Sequence, residues 1–275
     1  MPISSLRQVD EDPEREGPET AGTQARRLRR VEAPVSPERP TALIVGVRTL
    51  GHTLALHFAE RGFRVLCAAR TRQTVEDAAA AVTAAGGLGV PLVCDLTRPE
   101  TLKAALDAEP AIDLCIAAQT AGGRFGARPL VEMEDEDLQR GVDSYLRGTW
   151  NLLRAVGPRM LARGQGTFLQ IGTSSGVRTK AGYAALAAVQ HGLRALVQVA
   201  AREWREGGVH VAYLPIDGAI ASEKTTAWVA RNGEDRAIPA QAIAEACAYL
   251  HGQPRRGWTH ELLLRPPGSD WTAPT

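Results

Sequence analysis

What the sequence lacks removes several classes of protein at once. Its four cysteines, Cys67, Cys94, Cys115 and Cys247, form no C-x-x-C pair, and three of them lie in apolar, strand-like runs. Buried, reduced thiols of a cytoplasmic protein are therefore expected. The six histidines show neither H-x-x-x-H nor H-E-x-x-H spacing, so no metal site is expected. No apolar run reaches the roughly 18 residues of a membrane-spanning helix. The first residues have no apolar stretch of the kind a secretion signal carries. A net charge of +1 leaves no electrostatic footprint for nucleic acid. Arg26, Arg27, Arg29 and Arg30 do cluster, but among acidic residues, as in a solvated tail.

What is present suits one α/β domain: 275 residues, of which 44% are hydrophobic. Residues 1–40 are rich in Pro, Glu, Arg, Ser and Thr without hydrophobic periodicity, and a disordered N-terminal extension is expected there. From Thr41 to the end the texture changes. Short apolar runs predict strands at 42–45, 65–69, 92–94, 114–117, 167–171, 209–214 and 261–264. Helical spacing predicts helices at 49–61, 74–85, 101–108, 135–163, 181–205 and 240–251. Apolar strands alternating with crossover helices imply a single-domain, Rossmann-like, doubly wound parallel sheet with helices on both faces. Its ligand site should lie beyond the carboxyl ends of the strands.

The first predicted strand runs into Gly46-Val-Arg-Thr-Leu-Gly51 and then a helix. Glycines there let the backbone turn tightly and approach a pyrophosphate, while the helix N-terminus offers free N–H groups.

In this context the run ALIVGVRTLGHTLALHFAERGFRVLCAAR resembles the opening of the short-chain dehydrogenase/reductase family. VCDL at 93–96, RGTWNLLRAV at 147–156 and GLRALVQVAARE at 192–203 agree, and the likeness extends from Thr41 to about Pro266. IDGAIAS at 216–222 and WTHELLLRP at 258–266 resemble a less-studied branch. The resemblance implies a nicotinamide cofactor held by Gly46, Arg48, Gly51, Arg70, Asp95, Leu96, Gly218 and Ser222. The family loop T-G-x-x-x-G-x-G is here one residue short and lacks its middle glycine, with Val45 in place of Thr. Arg48 stands where it would either pair with a pyrophosphate or crowd it. Arg70, with Arg72 two residues on, occupies the place where NAD-selective relatives carry an acid, which favours NADP(H). Asp95 matches the family's adenine-pocket aspartate.

The family's catalysis uses a Ser, a Tyr and a Lys four residues after the Tyr. Thr173 falls at the Ser position, Leu186 at the Tyr and Gln190 at the Lys. The family's N-N-A-G reads Ala117-Ala118-Gln119-Thr120, and its helical Asn aligns with Tyr145. Leu186 cannot exchange a proton, and losing a general acid costs roughly 10²–10⁴ in rate. Thr173, Tyr183, Tyr145 and Gln190 are the candidate catalytic set. His191 is a further candidate, Asp217 a candidate pocket carboxylate or loop stabiliser, and Trp228 a candidate aromatic wall in the stretch 223–239, a substrate lid in this family.

Two functions remain open. One is an enzyme of specialised metabolism acting on a small organic molecule by non-standard chemistry: an isomerase, cyclase, dehydratase or unusual NADP(H)-dependent oxidoreductase. The other is an inactive pseudoenzyme that senses cofactor or binds a partner. The resemblance also implies a homodimer or homotetramer, packed through the two long helices.

Overall fold

A computed structural model describes residues 39–109, 111–121 and 127–269. The expected disordered extension, 1–40, lies outside the described residues except for Arg39 and Pro40.

Six strands form one parallel sheet: β1 (Thr41–Val45), β2 (Arg64–Ala69), β3 (Leu88–Val93), β4 (Leu114–Ala117), β5 (Gly166–Thr173) and β6 (Val209–Ile216). Their order is β3-β2-β1-β4-β5-β6, so the winding reverses between β1 and β4. In register, Ile44 faces Cys67 on one side and Ile116 on the other. Helices α1 (Thr49–Glu60), α2 (Arg72–Ala84), α3 (Pro99–Leu106), α4 (Asp135–Gly141), α5 (Gly148–Arg163) and α6 (Ala184–Trp204) provide the crossovers. A two-stranded parallel pair follows, β7 (Ala219–Ala221) with β8 (Ala237–Pro239), around α7 (Thr226–Asn232). The last helix is α8 (Ala240–His251). The strand expected at 261–264 pairs with β6 only through bridges at Glu261 and Leu264.

Side chains alternate across each strand, and the sheet therefore buries two cores. Ile44, Val65 and Cys67 pack with Leu54 and Phe58 of α1, Val75 of α2 and Ile243 of α8. Leu43, Leu66 and Phe168 pack with Leu102 of α3, Leu152 and Val156 of α5, and Leu193 of α6. Each fully buried Leu, Ile or Phe contributes about 1.5–3 kcal/mol. All four cysteines are free and buried, and burial pushes the Cys67 thiol up to about 12 and the Cys94 thiol to about 11. They are inert packing residues.

Two helix predictions need correction. The single helix expected over 135–163 is broken by a wider π turn, Val142–Arg147. Gly141 lies against Val189 and Gly148 against Leu96, both too close for a Cβ to enter without displacement, and the bulge falls between these contacts at Tyr145. The helix expected from 181 starts at Ala184, because Gly182 has φ +85°, outside helical space.

Candidate functional site

A cavity of about 570 Å³ lies at the carboxyl ends of the sheet. Its walls include the last residues of the six sheet strands or the segments after them, from Cys94–Thr97 at β3 to Gly218, Ile220, Ser222, Lys224 and Thr225 after β6. Neighbouring strands lie about 4.8 Å apart, so five gaps give a cleft roughly 24 Å long. A long, two-ended ligand matches that shape.

The centre of the cleft is the β1–α1 turn at the point where the winding reverses. Gly46 has φ +89°, and a Cβ there would lie 2.7 Å from the Ala118 carbonyl oxygen. A Cβ on Gly51 would sit 2.3 Å from the Gly46 carbonyl oxygen. Both positions therefore require glycine. The first turn of α1 has no side-chain cap and no acid, and Thr49 and Leu50 line the cleft. The positive end of the helix dipole is left facing it. Arg48 Nη2 donates to Thr120 Oγ1 at 3.3 Å across the opening.

At the β3 end stand Arg70 and Asp95. Arg70 is exposed and forms no ion pair or side-chain hydrogen bond among the described residues. Arg72 instead pairs with Glu76 on α2 at 3.5 Å and does not line the cleft. Asp95 Oδ1 accepts from the backbone N–H and the hydroxyl of Thr97, at 2.9 and 2.8 Å. Leu96 lines the same end, and its carbonyl accepts from Asn151 at 2.7 Å.

At the other end β5 delivers Thr173, the π turn delivers Tyr145, and α6 delivers Gln190. Gln190 is fully buried. Its Oε1 accepts from the Thr173 N–H at 3.2 Å and from the Tyr213 hydroxyl at 3.4 Å. Those two donors fix the amide's orientation and leave Nε2 without a partner among the described residues. The Tyr213 ring fits because Gly172 and Gly176 have no Cβ to meet it. Burial raises the pKa of Tyr145, partly offset by a backbone hydrogen bond at Ala121, so its phenol stays protonated at neutral pH. Gly218 and Ser222 line this end, and Ser222 caps the turn Glu223–Thr225.

Other candidates stand elsewhere. Tyr183 is the N-cap residue of α6 and does not line the cleft. His191 bonds the Ala187 carbonyl at 2.9 Å, Leu186 packs against the core beneath α6, and Trp228 is exposed on α7; none lines the cleft. Asp217 is no pocket carboxylate. It is buried and accepts from Arg178 Nη2 at 2.6 Å, and it lies 2.7 Å from Arg265 Nε. Burial alone would raise its pKa, but hydrogen bonds from Arg178 and Ser174 and the charges of both arginines outweigh that and hold it low. The aspartate thus ties the loop after β5, the end of β6 and the C-terminal segment together.

Sequence reasoning missed a buried polar chain beside the cleft. Gln119 Nε2 donates to Thr149 Oγ1 at 2.9 Å, and Thr149 donates to Gln170 Oε1 at 3.0 Å. Gln170 Nε2 donates to the carbonyls of Ala117 and Ile171. This chain braces β4 against β5. Its only sequence signal is a glutamine inside the apolar strand TFLQIGT. Lys224, on the capped turn, also lines the cleft and was missed. Among the described residues no cluster of three His, Cys, Asp or Glu could hold a metal ion.

A family model described as enoyl-(acyl carrier protein) reductase matches residues 46–263. An uncharacterised oxidoreductase of Myxococcus xanthus is 33% identical over 190 residues, covering 67% of this chain and 74% of that one. A 3-oxoacyl-(acyl-carrier-protein) reductase of Vibrio cholerae is 28% identical over 225 residues, covering 78% and 90%. Among solved structures, a short-chain dehydrogenase from Rhodopseudomonas palustris superposes with TM-score 0.70 at 28% identity, covering 84% of this chain and 100% of that one. A metagenomic short-chain oxidoreductase in complex with NADP gives TM-score 0.69 at 26% identity, covering 82% and 96%. The glycine turn at the switch point, the cleft over the strand ends and a family match across most of the chain lead to one conclusion: the chain belongs to the short-chain dehydrogenase/reductase family of oxidoreductases.

Proposed function

We propose that the protein binds NADP(H) in the cleft and acts on a small organic molecule at the β5–β6 end, without the family's tyrosine–lysine couple. The observation that carries this reading is Arg70, without a side-chain partner among the described residues, at one end of a cleft whose glycine turn has no room for a Cβ. A guanidinium there suits a ribose 2′-phosphate, which an acid in its place would repel. Structural relatives support the choice, one of them having been solved with NADP.

The fit extends to the other end. Leaving a buried donor unpartnered costs about 1–3 kcal/mol, and the Gln190 amide hydrogens are in that position. A ribose hydroxyl would accept from them. When bound, the nicotinamide supplies or takes up hydride. The chain's own residues then orient a substrate carbonyl through the Thr173 hydroxyl and offer a proton from the neutral Tyr145 phenol. Gln190 adds no charge, so nothing at its position lowers a phenol pKa. This makes Tyr145 a donor, not a base at neutral pH, and favours a reductive, isomerising or dehydrating reaction over alcohol oxidation.

The second reading, a cofactor-sensing pseudoenzyme, is favoured by one observation: Leu186, at the position aligned with the family tyrosine, is half-buried against the core and leaves the cleft without that phenol. A cytoplasmic homodimer or homotetramer belongs to either reading. Exposed Trp150 and Leu161 on α5 and Val199 on α6 are consistent with subunit packing there. No described helix is long and apolar enough to cross a membrane.

Titration of the purified protein with NADPH and with NADH, followed by nucleotide fluorescence, tests the cofactor. Tighter NADPH binding is expected. Failure to bind either at millimolar concentration would refute a redox or cofactor-sensing role. A carbonyl-substrate screen of the NADPH complex then separates enzyme from sensor.

A further inference from the structure

We infer that Lys224 is a phosphate-binding residue of the cleft, holding the cofactor phosphate nearest the nicotinamide. The inference rests on the NADP(H) reading above and deepens it.

The charges lining the cleft are unevenly matched. Among the described residues three cations, Arg48, Arg70 and Lys224, face it, and one acid, Asp95. Asp95 stands at the β3 end, and its Oδ1 already accepts two hydrogen bonds from Thr97. Among the described residues no acid lines the β6 half, where Lys224 stands. Lys224 forms no ion pair or side-chain hydrogen bond among the described residues, whereas Lys103 and Arg72 on the surface helices have carboxylate partners.

The backbone under Lys224 is fixed. Thr225 Oγ1 donates to the Ile220 carbonyl at 2.8 Å and accepts from the Ser222 N–H at 2.9 Å. A rigid turn thus presents a flexible cation to the cleft. The β1–α1 turn opposite is one residue shorter than the family pattern, and its Val47 side chain is buried away from the cleft lining. A dinucleotide spanning the cleft must place its bridging phosphates between the Arg70 end and the Gln190 end. Arg70 serves the 2′-phosphate at one end and Arg48, bonded to Thr120 Oγ1, stands at the central turn; among the described residues Lys224 is the lining cation on the β6 side.

The test compares two ligands on the full chain. NADPH carries both bridging phosphates, and adenosine 2′,5′-bisphosphate lacks the one on the nicotinamide side. Lys224→Met is expected to weaken NADPH about 3- to 10-fold, as for one solvent-exposed charge-assisted contact. It should leave the bisphosphate within about twofold. Lys224→Arg should restore NADPH affinity, and the loss in Lys224→Met should shrink between about 0.05 M and 1 M salt. NADPH binding unchanged in Lys224→Met, or both ligands weakened equally, overturns the assignment while leaving the cofactor reading intact. Failure of the wild-type chain to bind NADPH overturns both.

Discussion

Replacing Asp217 by asparagine keeps the side chain's shape and removes its charge. Its carboxylate is 6% exposed and lies between Arg178, 9% exposed, and Arg265, 3% exposed. Attraction between such charges in a poorly hydrated interior offsets a large desolvation penalty, and removing one partner of a buried pair costs about 3–5 kcal/mol. The folded-state pKa of Asp217 is lowered from 3.8, so the contribution is complete above that value and is lost only as pH falls through the lower folded value. At pH 7 the variant therefore shows the full loss. For a domain of this size about 1 kcal/mol moves Tm by roughly 2–4 °C, so Tm should fall by about 6–20 °C. Urea and thermal unfolding of Asp217→Asn, alone and with Arg178→Met, measure it. The double variant should recover part of the loss, because one orphaned guanidinium is gone. A loss below about 1 kcal/mol would show that water screens the cluster and would refute its role as the clamp between the loop after β5, β6 and the C-terminal segment.

Gly46→Ala should abolish nucleotide binding and destabilise the fold by about 1–3 kcal/mol, because φ is +89° and the new Cβ meets the Ala118 carbonyl; unaltered NADPH affinity would remove the turn from the site. Burial, above all, lowers the pKa of His57, His210 and His251 below the ordinary 6.5. The unfolded chain takes up these protons first as pH falls below 6.5. The stability the three contribute is thus complete above 6.5 and declines toward their folded pKa values, by at most about 1.4 kcal/mol per pH unit each. Urea midpoints that stay constant from pH 7.5 to 5.5 would show these imidazoles to be hydrated.

The sheet was legible because each strand is a short apolar run bounded by turn residues, and because Gly46 and Gly51 mark a turn that only glycine fits. The π turn at Tyr145 was not, since the periodicity of 135–163 is continuous and the contacts that flank the bulge, Gly141 with Val189 and Gly148 with Leu96, join residues distant in sequence. Asp217 was open to two readings, pocket carboxylate or loop stabiliser, because the partners that decide for the second, Arg178 and Arg265, are far away in sequence. Residue spacing placed Thr173 and Gln190 in the cleft and Tyr145 beside them, but it also put Tyr183 there, one turn before Leu186. Helix α6 begins at Ala184 and leaves Tyr183 at its cap, outside the cleft. The chain Gln119–Thr149–Gln170 spans three elements, and no local pattern announces it.

Selection of NADP(H) by Arg70 is read from the ratio of NADPH to NADH dissociation constants in the wild type and in Arg70→Ala. The wild type should prefer NADPH, and the variant should lose about 10- to 100-fold in NADPH affinity for one lost charge-assisted phosphate contact, with NADH affinity changed less than about twofold. Equal affinity for the two nucleotides in the wild type, or an NADPH affinity indifferent to Arg70, would contradict that selection.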